Sequence, residues 1–92
     1  MYTTALTNPA ITELQIIRKP QAIKMLGISS ANFYNKINAG LLPKKISLGP
    51  NSTGYFLHEL KAVIIAMSTG KSADEIKALV IYLTEQRQHL AV

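Results

Sequence analysis

Apolar residues recur at helical spacing in four parts of the chain and alternate with polar residues in one. The helical spacing predicts helices over about 20–26, 30–39, 58–67 and 72–89. A short β-type pair, Ile16 and Ile17, precedes the first helix. Ile46 and Leu48 alternate with Ser47, and a second short strand follows at 55–57 after a Gly, Pro, Asn and Ser cluster over 49–54. The sequence therefore predicts a mostly α fold with a small β-hairpin.

The first two predicted helices are separated by only three residues. Gly27 supplies the left-handed residue that ends the first helix, Ile28 is the apolar residue of the turn, and Ser29 or Ser30 caps the second helix. This arrangement is typical of a helix-turn-helix, although any corner between two helices produces the same spacing. The hairpin that follows then corresponds to a wing.

The outward face of the second helix is rich in amide side chains. Phe33 and Ile37 lie four residues apart and are expected to face the core. Asparagine is a poor helix former, but its amide both donates to and accepts from adenine in the major groove, so the pattern favours base reading over mere solubility. The alternative is that asparagine is simply frequent in the source proteome. The outward and flanking positions are Ala31, Asn32, Tyr34, Asn35, Lys36 and Asn38.

The last two helices carry regular core stripes. The third is predicted to bury Leu60, Val63, Ile64 and Met67, and the fourth to bury Ile76, Leu79, Val80 and Leu83. Ser72 and Glu75 have the spacing of a capping box at the start of the fourth helix. Ile81 and Tyr82 do not fit its stripe. They are either a surface for a partner or ordinary exposed apolar residues.

Length and charge refine this picture. The chain of 92 residues has a net charge of +5 and is long enough for one domain, expected over 15–92 after a flexible lead-in over 1–14. Between Arg18 and Lys61 there are seven basic residues and one acid, Glu59. Such a concentration of positive charge is typical of proteins that contact a polyanion, and the alternative is that it serves only solubility. Lys44 and Lys45, at the base of the hairpin, either contact phosphates or guard the edge of the sheet.

The sequence offers little for catalysis or metal binding. Cysteine is absent, the two histidines are 31 positions apart, and the few carboxylates are scattered, so we predict no enzyme, metal or cofactor. His58 is expected to be solvated or to cap its helix. The longest apolar runs have six residues, and Met1 to Ala10 do not form a secretory signal, so the protein is expected in the cytoplasm, associated with the nucleoid.

Several strings resemble the AlpA family of phage and prophage regulators, which are small winged helix-turn-helix proteins of the MerR-like and excisionase-like group. The resemblance covers roughly Ile17 to Arg87. It is carried by Leu26-Gly27-Ile28-Ser29, Tyr34, Gly40-Leu41-Leu42-Pro43, Leu48-Gly49-Pro50-Asn51-Ser52-Thr53-Gly54-Tyr55 with Glu59-Leu60, and Thr69-Gly70-Lys71-Ser72-Ala73-Asp74-Glu75-Ile76-Lys77-Ala78-Leu79-Val80.

The resemblance implies sequence-specific binding of double-stranded DNA, with the second helix in the major groove and the wing against the backbone or minor groove. It implies regulation of transcription or of site-specific recombination in a prophage or genomic island. Base reading is then predicted for Ala31, Asn32, Asn35 and Asn38, and backbone contact for Ser30, Tyr34, Lys36, Lys44, Lys45, Asn51 and Ser52. The alternative function is a protein-interaction module that binds an integrase or another regulator through Ile81 and Tyr82, and a homo-oligomer on DNA is a further expectation.

Overall fold

The structure, a computed structural model, describes residues 14–90. All but the last residue of the predicted lead-in, 1–14, lies outside this part of the chain. Within it, the order of elements matches a winged helix-turn-helix followed by a C-terminal helix. The elements are β1 (Ile16–Ile17), α1 (Lys19–Leu26), α2 (Ser30–Asn38), β2 (Ile46–Gly49), β3 (Ser52–Phe56), α3 (Leu57–Ser68), α4 (Ala73–Gln86) and a final 3-10 turn (Arg87–His89).

Local chemistry sets the boundaries of the helix-turn-helix as predicted. Gly27 closes α1 with φ of 69°, a left-handed conformation that a side chain disfavours. The Ser29 hydroxyl accepts a hydrogen bond from the Asn32 backbone N–H at 3.1 Å and so caps α2. Gly40 has φ of 80° just beyond the end of α2, where the chain turns toward the wing.

The three strands form one antiparallel sheet in the order β1-β3-β2. Ile16 pairs with Phe56 and Ile17 with Tyr55, so the predicted β-type pair joins the wing as its third strand. The predicted turn over 49–54 is wrong in length, because β3 begins at Ser52 and only two residues separate it from β2. Asn51 adopts a left-handed backbone conformation, with φ of 57°, so the chain turns within two residues and pairing of β3 with β2 begins at Ser52.

Gly54 occupies the crowded centre of this sheet. A Cβ there would fall against the Ile16 Cγ2 methyl, and would lie 3.2 Å from both the Ile17 carbonyl oxygen and the Leu48 Cδ1 methyl. The absence of a side chain therefore allows the outer strands to pack against β3.

The core lies between the sheet and the four helices. Ala22, Leu60 and Val63 are fully buried. Helical spacing also predicts that Ala22, Ile23 and Leu26 of α1 face the core, and this stripe and the one predicted for α4 are confirmed as buried or half-buried. The stripe predicted for α3 is wrong at one end: Met67 is 39% exposed, whereas Ala66 is 8% exposed. The buried side of α3 is formed by Glu59, Leu60, Val63 and Ala66. The carboxylate of Glu59 is buried there in an ion pair with Arg87.

The capping box of α4 is confirmed. The Ser72 hydroxyl accepts from the Glu75 backbone N–H at 3.2 Å, and the Glu75 carboxylate accepts from the Ser72 backbone N–H at 2.9 Å. These hydrogen bonds with Ser72 lower the pKa of Glu75. The single helix predicted over about 72–89 ends as an α-helix at Gln86 and finishes as the 3-10 turn.

Candidate nucleic-acid interface

The outer face of α2 presents the predicted amide side chains to solvent. Phe33, 1% exposed, anchors the inner face of the helix, and Ile37 beside it is half-buried. Tyr34 is 61% exposed on the flank. The remaining positions of this face are also exposed: Ser30, Ala31, Asn32, Asn35 and Asn38. We call the surface formed by Ala31, Asn32, Asn35 and Asn38 the amide face.

A cleft of about 320 Å³ opens between the amide face and the wing. Among the residues of 14–90 that line the cleft, three are lysines and no residue is acidic. Phosphates seated there would meet positive charge from Lys19 at the start of α1 and from Lys44 and Lys45 at the base of the wing. The lining residues are Lys19, Tyr34, Ile37, Asn38, Lys44, Lys45, Thr53 and Tyr55.

Aromatic packing fixes the two walls of the cleft relative to each other. The rings of Phe33 on α2 and Tyr55 on β3 meet edge to face, with centroids 5.2 Å apart and planes at 80°. Burial raises the pKa of Tyr55. The ring contact joins α2, which carries the amide face, to strand β3 of the wing.

The segment between α2 and β2 places two of the lysines. Leu42 is 2% exposed and Pro43 is buried, so this segment is anchored from the inside, while Lys44 and Lys45 directly after it are exposed. The Leu41 N–H donates to the Lys36 carbonyl at 2.8 Å and fixes the exit from α2. The buried Leu42 and Pro43 thus hold the backbone in place directly before Lys44 and Lys45, and both lysines line the cleft.

The sequence reasoning missed part of the site. Lys19, the first residue of α1, lines the cleft, although the sequence pattern predicts no contact role for it. Thr53 also lines the cleft, and its carbonyl accepts a hydrogen bond of 3.4 Å from the Arg18 guanidinium. The available signal was the adjacent Arg18 and Lys19 immediately before Pro20, a basic pair at the start of a helix.

Other predicted residues lie outside the cleft. Asn51 is exposed at the tip of the wing and Ser52 is half-buried beside it, while Lys36 is half-buried on the flank of α2. Ile81 and Tyr82 lie on α4, 60% and 56% exposed. Of the predicted residues, the cleft thus collects Tyr34, Asn38, Lys44 and Lys45.

The basic stretch is more strongly positive at its surface than the sequence indicates. Glu59, its single acid, is fully buried and forms an ion pair of 2.6 Å with Arg87. The folded chain thus brings Arg87 to a carboxylate 28 positions away in the sequence. The negative charge of Glu59 is shielded from any ligand in the cleft.

His58 is half-buried and does not cap α3, whose N-cap is Phe56, so the capping role among the two expectations is wrong. Its Nδ1 atom is buried and has no hydrogen-bond partner among residues 14–90, and its ring lies 5.3 Å from that of Phe56. Over the same residues no group of three potential metal ligands occurs, and no helix has the length and apolarity needed to cross a bilayer.

Comparison with known proteins identifies the family. The sequence model of the family described as prophage CP4-57 regulatory protein (AlpA) matches residues 15–64, which include α1, α2, all three strands and the first part of α3. No curated protein and no solved structure matches the chain. The match covers more than half of the 92 residues. The chain therefore belongs to the AlpA family of prophage regulatory proteins.

Proposed function

We propose that this regulator binds double-stranded DNA in a sequence-specific manner and controls transcription or site-specific recombination in a prophage or genomic island, through integrase expression or excision. The observation that carries the proposal is the three-lysine cleft next to the amide face. Sequence-specific DNA binding needs both a cationic surface for phosphates and a polar surface for base edges. Here the two surfaces adjoin along one helix.

In the proposed complex, α2 lies in the major groove. The amides of Asn32 and Asn35, with Asn38 at the edge of the cleft, form hydrogen bonds with base edges, and Asn pairs best with adenine. The Ala31 methyl contacts a thymine methyl in the same groove. An amide face therefore favours sites that contain A·T pairs.

The cleft and its surroundings contact the sugar-phosphate backbone. Lys44 and Lys45 approach phosphates from the base of the wing, and Lys19 does so from the start of α1. Hydroxyl, amide and amine groups around them extend this contact: Ser30, Tyr34, Lys36, Asn51 and Ser52.

We further propose that residues 15–92 form one DNA-binding domain that acts in the cytoplasm, at the nucleoid, without a cofactor. One module of this size covers a short stretch of DNA, so several copies on adjacent sites would raise the affinity. We therefore propose that copies of this chain form a homo-oligomer on DNA.

Removal of the two wing lysines tests the function. In Lys44→Ala/Lys45→Ala we expect weaker binding to all duplexes alike, and a plot of log affinity against log salt that is flatter by about 2, since each lost phosphate contact lowers the slope by about one. The matched control is Lys61→Ala/Lys71→Ala, which removes the same charge from two exposed residues outside the cleft. If both pairs flatten the plot equally, the cleft is not the DNA-binding surface.

A second candidate function rests on α4. Ile81 and Tyr82 are large apolar side chains more than half exposed, as on a surface that binds an integrase, another regulator or a second copy of this chain. This candidate predicts a protein complex without DNA affinity. The absence of duplex binding at low salt would favour it over the first.

A further inference from the structure

A single arginine near the C-terminus contacts the segment that forms the base of the wing. Arg87 forms two parallel hydrogen bonds with the Glu59 carboxylate, from Nε to Oε2 at 2.8 Å and from Nη2 to Oε1 at 2.6 Å. A carboxylate as fully buried as that of Glu59 is costly without such a partner. The geometry is the paired arrangement in which guanidinium and carboxylate bind most strongly.

The same guanidinium makes two further contacts. Its Nη2 atom donates to the backbone carbonyl oxygen of Lys44 at 2.8 Å, across 43 positions of sequence. Its Cζ atom lies 5.5 Å from the centre of the Phe56 ring, at the junction of β3 and α3. Arg87 therefore joins the C-terminal turn to α3 and to the wing lysines.

The Lys44 contact matters because of where this residue stands in the chain. Leu42 and Pro43 anchor the segment in the core, and the side chain of Lys44 lines the cleft. Arg87 holds the carbonyl between these buried anchors and the next cleft lysine, Lys45. The residue that contacts this carbonyl lies beyond the part matched by the family, which ends at residue 64.

We propose that Arg87 is a positioning residue for the DNA-binding cleft. It orients Lys44 and Lys45 by fixing the Lys44 carbonyl, with its own charge neutralised by Glu59, and it does not touch DNA. This inference rests on the proposed function, because it assigns Arg87 a role in that same site.

A purely structural role for Arg87 makes a different prediction. A buried ion pair replaced by apolar side chains of similar size is often as stable as the original, whereas removal of one partner strands the other charge. Glu59→Leu/Arg87→Met therefore removes the pair without leaving a buried charge, and it also removes the donor to Lys44. If Arg87 acts only through stability, this double variant will bind DNA like the wild type.

The experiment compares full-length wild type, Arg87→Met, Glu59→Leu/Arg87→Met and the control Lys77→Met, which removes one charge from an exposed position of α4. Urea unfolding measures stability, and binding to a random duplex of about 30 base pairs is measured over a series of salt concentrations. Amide hydrogen exchange at Lys45 and Ile46 is measured in the free proteins.

We expect the double variant to unfold near the wild-type urea concentration, yet to bind about tenfold more weakly, the equivalent of one hydrogen bond to a charged group. Its salt dependence should keep the wild-type slope, because no phosphate contact is removed, and exchange at Lys45 and Ile46 should speed up. Lys77→Met should bind and exchange like the wild type.

Three results would overturn the inference alone while the wild type still binds DNA. They are wild-type affinity in the stable double variant, unchanged exchange at Lys45 and Ile46, or a slope reduced by about one, which would make Arg87 itself a phosphate contact. If the wild type binds no duplex at any salt concentration, the proposed function fails and this inference fails with it.

Discussion

At the residue scale, the exposed face of α2 is distinguished by its neutral amide side chains. A helix exposed only for solubility usually carries Glu and Lys, but the amide face has Asn32, Asn35 and Asn38 around the small Ala31. Neutral amides contribute little to nonspecific attraction and much to hydrogen-bond selectivity. We therefore propose that attraction to DNA comes from the cleft and selectivity from the amide face.

Asn35 is the most direct test of that division. In Asn35→Ala, binding to a selected site should weaken by about 1–3 kcal/mol, and discrimination should relax at one base pair, because one amide reads one base. The measurement is competition binding with duplexes changed at each position in turn. Equal affinities of wild type and variant across the whole set would mean that α2 does not read the bases.

Residue roles that depend on neighbours in sequence were predictable, and those that depend on distant partners were not. The exposure of the amide face and the burial of Phe33 follow from helical spacing alone. The pairing of Glu59 with Arg87 and the place of Lys19 in the cleft depend on how α1, α3 and the C-terminal turn pack together. No local pattern carries that information.

At the element scale, the helices begin and end where capping chemistry dictates. Gly27 and Ser72 mark ends that were predicted from the sequence, and Ser29 is one of the two serines predicted to cap α2. The sheet was read less well, because strand pairing is nonlocal: β3 starts three residues earlier than predicted and also pairs with β1. Once Asn51 adopts a left-handed conformation, the turn needs only two residues and the rest of the cluster joins the strand.

The cap of α2 offers a matched pair of adjacent serines. Ser29→Ala should lower the free energy of unfolding by about 0.5–2 kcal/mol, because the Asn32 N–H loses its acceptor. Ser30→Ala, at an exposed position inside the helix, should change it by less than about 0.5 kcal/mol. Urea denaturation of the two variants checks this, and equal losses would show that the cap does not stabilise α2.

At the scale of the whole molecule, folding separates the charges by position. The acid of the basic stretch is buried in an ion pair, and Lys19 of α1 lines one cleft together with Lys44 and Lys45 at the wing base. The acids Asp74, Glu75 and Glu85 are exposed on α4, and none of them lines the cleft. A net charge of +5 therefore understates the positive potential that DNA would meet.

This charge separation supports the proposal that an AlpA-family regulator with this surface binds DNA. The most direct measurement is the affinity of the purified full-length protein for a random duplex of about 30 base pairs over a range of salt concentrations, which requires no knowledge of the operator. We predict that log affinity falls with log salt at a slope between about −3 and −6, as expected when about four to six phosphates are neutralised. No binding at low salt, or an affinity independent of salt, would contradict the claim and direct attention to the exposed surface of α4.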